Sequence, residues 1–345
     1  MIETNFDFVL IGFFSSLFFL CLLQFTKKNH IKFSLDDSKG PQKIHSEQIM
    51  RIGGVIIVPS YFLTTFFFEQ NQIFYLKLCL VLIPVLFFGF AEDIFKNVKP
   101  YKRLIGTLIT AFLIYFFLET ALSDFSIIKL KQPILILFFT VLGITTITNA
   151  FNIIDGLNGL SLGIAIISLL SIFFVAINIK DTFSADLVLF LVSPLIPIFI
   201  FNFPFSKIFI GDGGAYILGC IVSLATITIS ENNNEVNPFF SLLIILYPLY
   251  ECIRSFVRRL INSKRFDWPD NLHLHSILYQ WFVSKKFQSK AANPIASFTI
   301  LISVLILNIW GIRNFDDRNN LILGCIVFII FYEVLIKFSK KEFKL

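Results

Sequence analysis

Charge is scarce in this sequence. Of its 345 residues only 15% are Asp, Glu, Lys or Arg, where a soluble domain carries about a quarter. That excludes an ordinary water-soluble enzyme. Cysteine is scarce as well. Cys21, Cys79, Cys220, Cys252 and Cys325 are odd in number, lie in apolar stretches and show no metal-type spacing. This argues against a disulfide framework and for small core hydrophobes. No internal repeat and no long linker interrupts the chain, so a single domain over residues 1–345 is expected. The first apolar run lacks a basic stretch before it and a small-residue cleavage site, which predicts a retained span and no signal peptide.

Apolar bulk is abundant. The chain is 56% hydrophobic, holds 45 Phe and has a mean hydropathy of +0.79. These values predict an all-α polytopic protein embedded in a lipid bilayer. A crossing takes about 20 apolar residues. Eleven segments qualify within a few residues at each end: 6–26, 53–68, 74–90, 104–119, 133–149, 160–179, 186–202, 214–230, 238–256, 295–311 and 320–336. With the N-terminus outside, the inner loops and the C-terminal tail hold 23 Lys and Arg and the outer loops 5, Lys77 lying inside a span. Positive residues gather on the cytoplasmic side, so an N-out, C-in topology is expected. The same distribution explains the net charge of +6 without nucleic acid.

The polar chemistry then falls on one side, in loops 27–52, 91–103, 149–159, 203–213 and 257–294. All four histidines lie there. The outer stretches Glu231–Glu235 and Asn314–Asp317 read as solvated connectors. A transporter of an anionic metabolite would place its polar groups near the bilayer midplane, in broken helices. An enzyme working on a lipid from the cytosol would place them at the inner edge, as here. The transporter is kept as the alternative reading, and an inactive scaffold as a third.

The loop Asn149-Ala-Phe-Asn-Ile-Ile-Asp-Gly-Leu-Asn-Gly159 lies between two apolar runs. Polar groups at a membrane edge are functional candidates, although Asn, Asp and Gly are also ordinary turn residues. Asn152 and Asp155, three apart, share one side of a helical turn, and their oxygens suit Mg²⁺. Gly156 and Gly159 allow close backbone approach. Glu92-Asp93 at a span end can hold a cation or take a proton, or form a solvated pair balanced by Lys96 and Lys99. Asp212, among three glycines before a span, suits an anion-binding helix start or a flexible turn. His273 and His275 have no cysteine or third histidine nearby, which disfavours zinc. Contact with a phosphate or sugar fits them better. Glu251 and Arg254 read as a local i,i+3 helix pair. Lys102 and Arg103 are positive-inside anchors that also suit a phosphorylated substrate.

Taken in order, these loops resemble the polyprenyl-phosphate N-acetylhexosamine-1-phosphate transferases, the superfamily that includes WecA, TagO and MraY. The resemblance covers about residues 41–280. It rests on Pro41-Gln-Lys-Ile-His45 with Arg51-Ile-Gly-Gly54, Gly89-Phe-Ala-Glu-Asp93, the Asn149–Leu160 stretch, Phe209-Ile-Gly-Asp212 and Pro269-Asp-Asn-Leu-His-Leu-His275. It implies transfer of N-acetylhexosamine 1-phosphate from a UDP-sugar to undecaprenyl phosphate, releasing UMP, in the bacterial inner membrane with the site facing the cytoplasm. It also implies Mg²⁺, with Mn²⁺ as a substitute, and allows a homodimer. By resemblance, Asn152 and Asp212 hold the metal, and Glu92 and Asp93 bind or deprotonate the lipid phosphate. Asp155 and the glycines around it, Gly156 among them, shape the nucleotide pocket. His273 and His275, with Lys102 or Arg103, contact the diphosphate and sugar, and Lys43, His45, Asn149 and Asn158 are further substrate-binding candidates. Glu92, Asp93, Asp155 and Asp212 are then the catalytic set. Three positions depart from the family pattern. Glu92 stands where Asp is commoner, Asn158 stands where an aspartate often stands, and Ser276 replaces a third histidine. The first two point away from a MraY-type role and toward a WecA- or WbpL-like enzyme that starts a surface glycan.

Overall fold

Proline sets where several helices begin and break. Pro100, Pro133 and Pro238 each open a helix, a position where the missing N–H costs nothing. Pro248 cannot donate to the Ile244 carbonyl and crowds it. The apolar run 238–256 is accordingly bent by 72° at Ile245. The computed structural model describes residues 7–27, 49–67, 71–261 and 272–341.

In chain order the helices are α1 (Asp7–Phe25), α2 (Ile57–Thr65, entered through a 3₁₀ turn at Gly53–Ile56), α3 (Gln72–Val81), α4 (Ile83–Phe95) and α5 (Pro100–Phe117). There follow α6 (Pro133–Ile154), α7 (Leu160–Ile179), α8 (Thr182–Val192), α9 (Leu195–Asn202) and α10 (Gly211–Asn232). The last five are α11 (Pro238–Ile244), α12 (Leu246–Ile261), α13 (Leu274–Ser284), α14 (Ser289–Arg313) and α15 (Arg318–Lys341). Among the described residues there is no strand, only isolated bridges such as Met50 with Ile208. The structure is all-α, as expected. Each of the eleven apolar segments is helical. Eight helices or continuous helix pairs are long and apolar enough to cross a bilayer, nine if the bent α11–α12 pair is one span. Gly53–Thr65 is shorter than a crossing, and α5 opens on the polar turn Pro-Tyr-Lys-Arg. Phe14, Phe18, Phe66, Phe87 and Phe116 stand exposed on the outer surface, which suits lipid and not water.

The organising element is α10, in which every residue from Gly211 to Ser230 is buried. A helix apolar on all sides belongs in a core. Small residues let its neighbours approach to backbone distance. A Cβ on Gly219 would come within 2.5 Å of Thr148 Cα in α6. One on Gly89 of α4 would come within 2.4 Å of Gly213 Cα. The two ends of α10 carry separate polar clusters. At its C-terminal end the Glu231 carboxylate accepts hydrogen bonds from Ser123 N (2.6 Å), Ser123 Oγ (2.6 Å) and Asp124 N (2.8 Å). The Glu231 stretch is therefore no free connector. It pins the 119–132 segment beside a cavity of about 230 Å³.

Candidate active site

The other cluster forms around the first turn of α10. Residues 50–54 run alongside 208–210, with Phe209 N donating to Met50 O (2.8 Å), Gly53 N to Phe209 O (2.8 Å) and Gly54 N to Ile210 O (2.7 Å). This pairing delivers Arg51 to the start of the helix. Gly211 has φ +74°, and a Cβ there would lie 2.3 Å from Arg51 O and 2.5 Å from Asp93 Oδ2. Glycine is required on both counts.

Asp93, at the end of α4, caps α10 from outside. Its Oδ1 accepts Asp212 N–H at 2.8 Å and its Oδ2 accepts Gly213 N–H at 3.1 Å. A carboxylate on exposed helix N–H groups is favoured by hydrogen bonding and by the helix dipole. Arg51 Nε adds an ion pair to Oδ1 at 3.3 Å. Asp212 in turn places one oxygen on Arg51 Nη2 and the other on Arg103 Nη1, the latter at 2.6 Å. The Asp212 side chain is buried, while Arg51 and Arg103 are 36% and 22% exposed. The pairs are therefore screened from one side only.

Glu92 is half-buried; its Oε2 accepts Val98 N–H at 2.7 Å, and its charge reaches Arg103. Lys102 is exposed at the rim. On α6, Asn149 donates to Thr145 O (2.8 Å) and Thr107 Oγ1 (3.3 Å), and Asn152 is half-buried in the last turn of the helix. Asp155 follows α6 and takes a hydrogen bond from the Ser161 hydroxyl. Burial pushes its carboxyl up to about 6; the Ser161 bond and the Arg51 charge pull it down, and the Asp212 charge raises it.

The rest of the 155–159 loop is held by other elements. Asn158 is buried; its amide donates to Pro204 O (3.2 Å), and its N–H donates to Asn293 Oδ1 (2.9 Å). Its described contacts are thus with the protein itself. Gly159 N–H donates to Asn202 Oδ1, while Asn202 Nδ2 holds Ile208 O at 2.6 Å. Gly156 leaves room for His275, whose Nε2 would be 2.5 Å from a Cβ at that position. His273 and His275 are both buried and stack with centroids 5.4 Å apart.

The structure thus gathers Glu92, Asp93, Arg103, Asp155 and Asp212 around one helix start, and sets His275 against Gly156. Lys43 and His45 lie outside the described residues. Sequence reasoning did not single out Arg51, Asn202, Asn293 or Glu251 as site residues. Glu251 and Arg254 do not pair with each other as helical spacing suggests. Glu251 faces His273 and Leu274, and Arg254 pairs with Glu333 at 2.8 Å on α15. Both side chains face the 272–274 segment, Arg254 also donating to Leu272 O at 3.3 Å, and each finds its partner on another element.

Among the described residues, no three His, Cys, Asp or Glu form a ready-made metal cage. Asp212 and Asn152, the two expected metal ligands, offer hard oxygens. Oxygens of this kind suit Mg²⁺, which binds through one or two carboxylates and completes its shell with water and substrate phosphate.

A family model described as glycosyl transferase family 4 matches residues 52–230, just over half of the chain. An undecaprenyl-phosphate alpha-N-acetylglucosaminyl 1-phosphate transferase of Thermotoga maritima is 29% identical over 270 residues, covering 78% of this chain and 80% of the relative. A probable undecaprenyl-phosphate N-acetylglucosaminyl 1-phosphate transferase of Bacillus subtilis is 25% identical over 299 residues, covering 84% and 81%. A phospho-N-acetylmuramoyl-pentapeptide-transferase of Lactobacillus gasseri is 31% identical, but over 156 residues and only 41% of this chain. The matched span holds Glu92, Asp93, Arg103, Asp155 and Asp212, the groups that converge on the first turn of α10, and the chain belongs to glycosyl transferase family 4.

Proposed function

We propose that this protein transfers N-acetylglucosamine 1-phosphate from its UDP-linked form to undecaprenyl phosphate, at the cytoplasmic edge of the inner membrane, as the first step of a cell-envelope glycan. The observation that carries this is the buried Asp212 carboxylate held between two arginines at a helix start. Relatives that match most of the chain bear the names of such transferases. The L. gasseri relative matches too short a stretch to favour a peptidoglycan role.

An oxygen of the lipid phosphate forms a bond to the sugar-bearing phosphorus of the donor. The bond from that phosphorus to the bridging oxygen breaks, and UMP leaves with that oxygen. Two anions meet in this step, so positive groups must offset their repulsion. Arg51 and Arg103, each with one hydrogen-bonding edge on Asp212, are the residues for that task. Asp93 uses both oxygens on the backbone of α10 and is an anchor for Asp212. Glu92, half-buried and beside Arg103, is the carboxylate for the acceptor phosphate. Asp212 and Asn152 would hold Mg²⁺, which supplies charge stabilisation for the diphosphate when bound. Asp155 is the carboxylate of the nucleotide pocket.

The test is purified protein with UDP-N-acetylglucosamine, undecaprenyl phosphate and Mg²⁺, read by UMP release and by mass spectrometry of the lipid. A lipid gaining one N-acetylhexosamine and one phosphate, with activity lost in EDTA and restored by Mg²⁺, is expected. No UMP and no lipid product would overturn the reading.

Asp155 gives a second expectation. Its ionised fraction falls as pH drops through about 6. Ser161→Ala removes a donor that favours the ionised form, so the carboxyl titrates higher still. If the ionised form works, the acid limb of kcat/KM moves to higher pH in Ser161→Ala. A profile unchanged from the parent protein counts against Asp155.

A further inference from the structure

The histidine segment hangs from one buried carboxylate. Glu251 is 1% exposed in α12. Its Oε2 lies 2.9 Å from His273 Nδ1, and its Oε1 accepts Leu274 N–H at 2.8 Å. The second bond caps the first turn of α13, and the Tyr247 and Tyr332 hydroxyls also face this carboxylate. The His273 ring stacks on His275 with the planes 2° from parallel. His275 Nε2 in turn rests against Gly156. A line of contacts therefore runs from Glu251 through both histidines to the residue after Asp155.

We propose that Glu251 is a positioning residue for the transfer reaction: it holds His273 with Nδ1–H toward the carboxylate and so seats the histidine pair against Gly156. This rests on the transferase reading above. A neutral imidazole has one N–H and one acceptor nitrogen. A carboxylate only accepts, so the nitrogen facing it carries the proton. Nε2, on the far side of the ring, is then the acceptor, suited to an O–H or N–H of the donor sugar. Glutamine has the same shape as glutamate but one donating end. With its oxygen kept on Leu274 N–H, its NH₂ group faces His273 Nδ1 and turns the ring to the Nε2–H tautomer.

The experiment uses the full chain. With four histidines in all, ¹⁵N-histidine labelling gives few resonances, and His273→Ala identifies that of His273. The parent protein shows the Nδ1–H tautomer at His273, and Glu251→Gln switches it. In the UMP-release assay Glu251→Gln lowers kcat on the order of 10–100-fold, as loss of a supporting hydrogen bond does at other sites, with KM little changed. Glu251→Asp keeps two acceptors, keeps the tautomer and recovers part of the rate. Adding Glu251→Gln to His273→Ala costs nothing further, because the two act as one unit.

An Nε2–H tautomer in the parent protein overturns the proposal. So does parent-like turnover in Glu251→Gln, or a full extra loss in the double variant. Should Glu251→Gln fail to fold, Glu251→Asp decides, and a switched tautomer or no activity there rejects the idea. Absence of UMP release in the parent protein would instead sink the transferase reading, while the tautomer still reports on Glu251 and His273.

Discussion

Asp212→Asn lowers kcat for UMP release by about 10²–10³-fold, the scale of losing one preorganised electrostatic contact. The substitution keeps the shape of the side chain. It also spares the backbone bond from Asp212 N–H to Asp93, so α10 stays capped. What it removes is the single negative charge on which Arg51 and Arg103 converge. Arg51 is 36% exposed and can turn to water, so a thermal melt shifts by a few degrees at most. The prediction is thus a large loss of rate in a folded protein. More than a tenth of the parent rate in Asp212→Asn would remove Asp212 from the reaction.

The second large effect is steric. A Cβ on Gly54 would stand 2.2 Å from Gly214 Cα, 2.3 Å from Gly214 N and 2.8 Å from Ile210 O. All three are backbone atoms and none can swing aside. Gly54→Ala must therefore push residues 50–54 away from α10, taking Arg51 with them. Overpacking of this kind costs about 1–3 kcal/mol, and an ångström of misplacement at a reacting centre costs about 10²-fold in rate. We expect both in Gly54→Ala, read by thermal unfolding and UMP release. Gly143→Ala is the control, because its Cβ meets only Leu122 Cδ2, at 3.5 Å. There alanine gains roughly 1 kcal/mol of helix propensity over glycine, and activity is retained. Equal behaviour of the two variants would refute the close-packing account.

Much of this architecture was legible in the amino-acid order. Lipid imposes long apolar runs, and each run became a helix. The five polar loops were recognisable because amides and carboxylates are costly at a membrane edge. Less was legible where partners come from distant segments. Arg51 reads as one more basic loop residue until Met50 is paired with Ile208, more than 150 positions away. Glu251 reads as a partner of Arg254 because helical spacing is visible in the sequence. The packing of α12 on α13 and α15 is not. The Glu231 stretch reads as solvated because Asn and Glu usually are. Its carboxylate instead collects three donors from the 119–132 segment. Asn158 stands where an aspartate is common, and its visible work is to hold Pro204.

The burial of α10 bears on how the protein is made. Its mean hydropathy, 1.7, is the lowest of the eight candidate spans, so it has the weakest tendency to leave the translocation channel for lipid by itself. Its walls α4, α6 and α7 all precede it in the chain. They emerge from the ribosome first and offer it a protein-lined berth. Insertion of this helix is therefore a late assembly step, sensitive to substitutions in segments synthesised well before it.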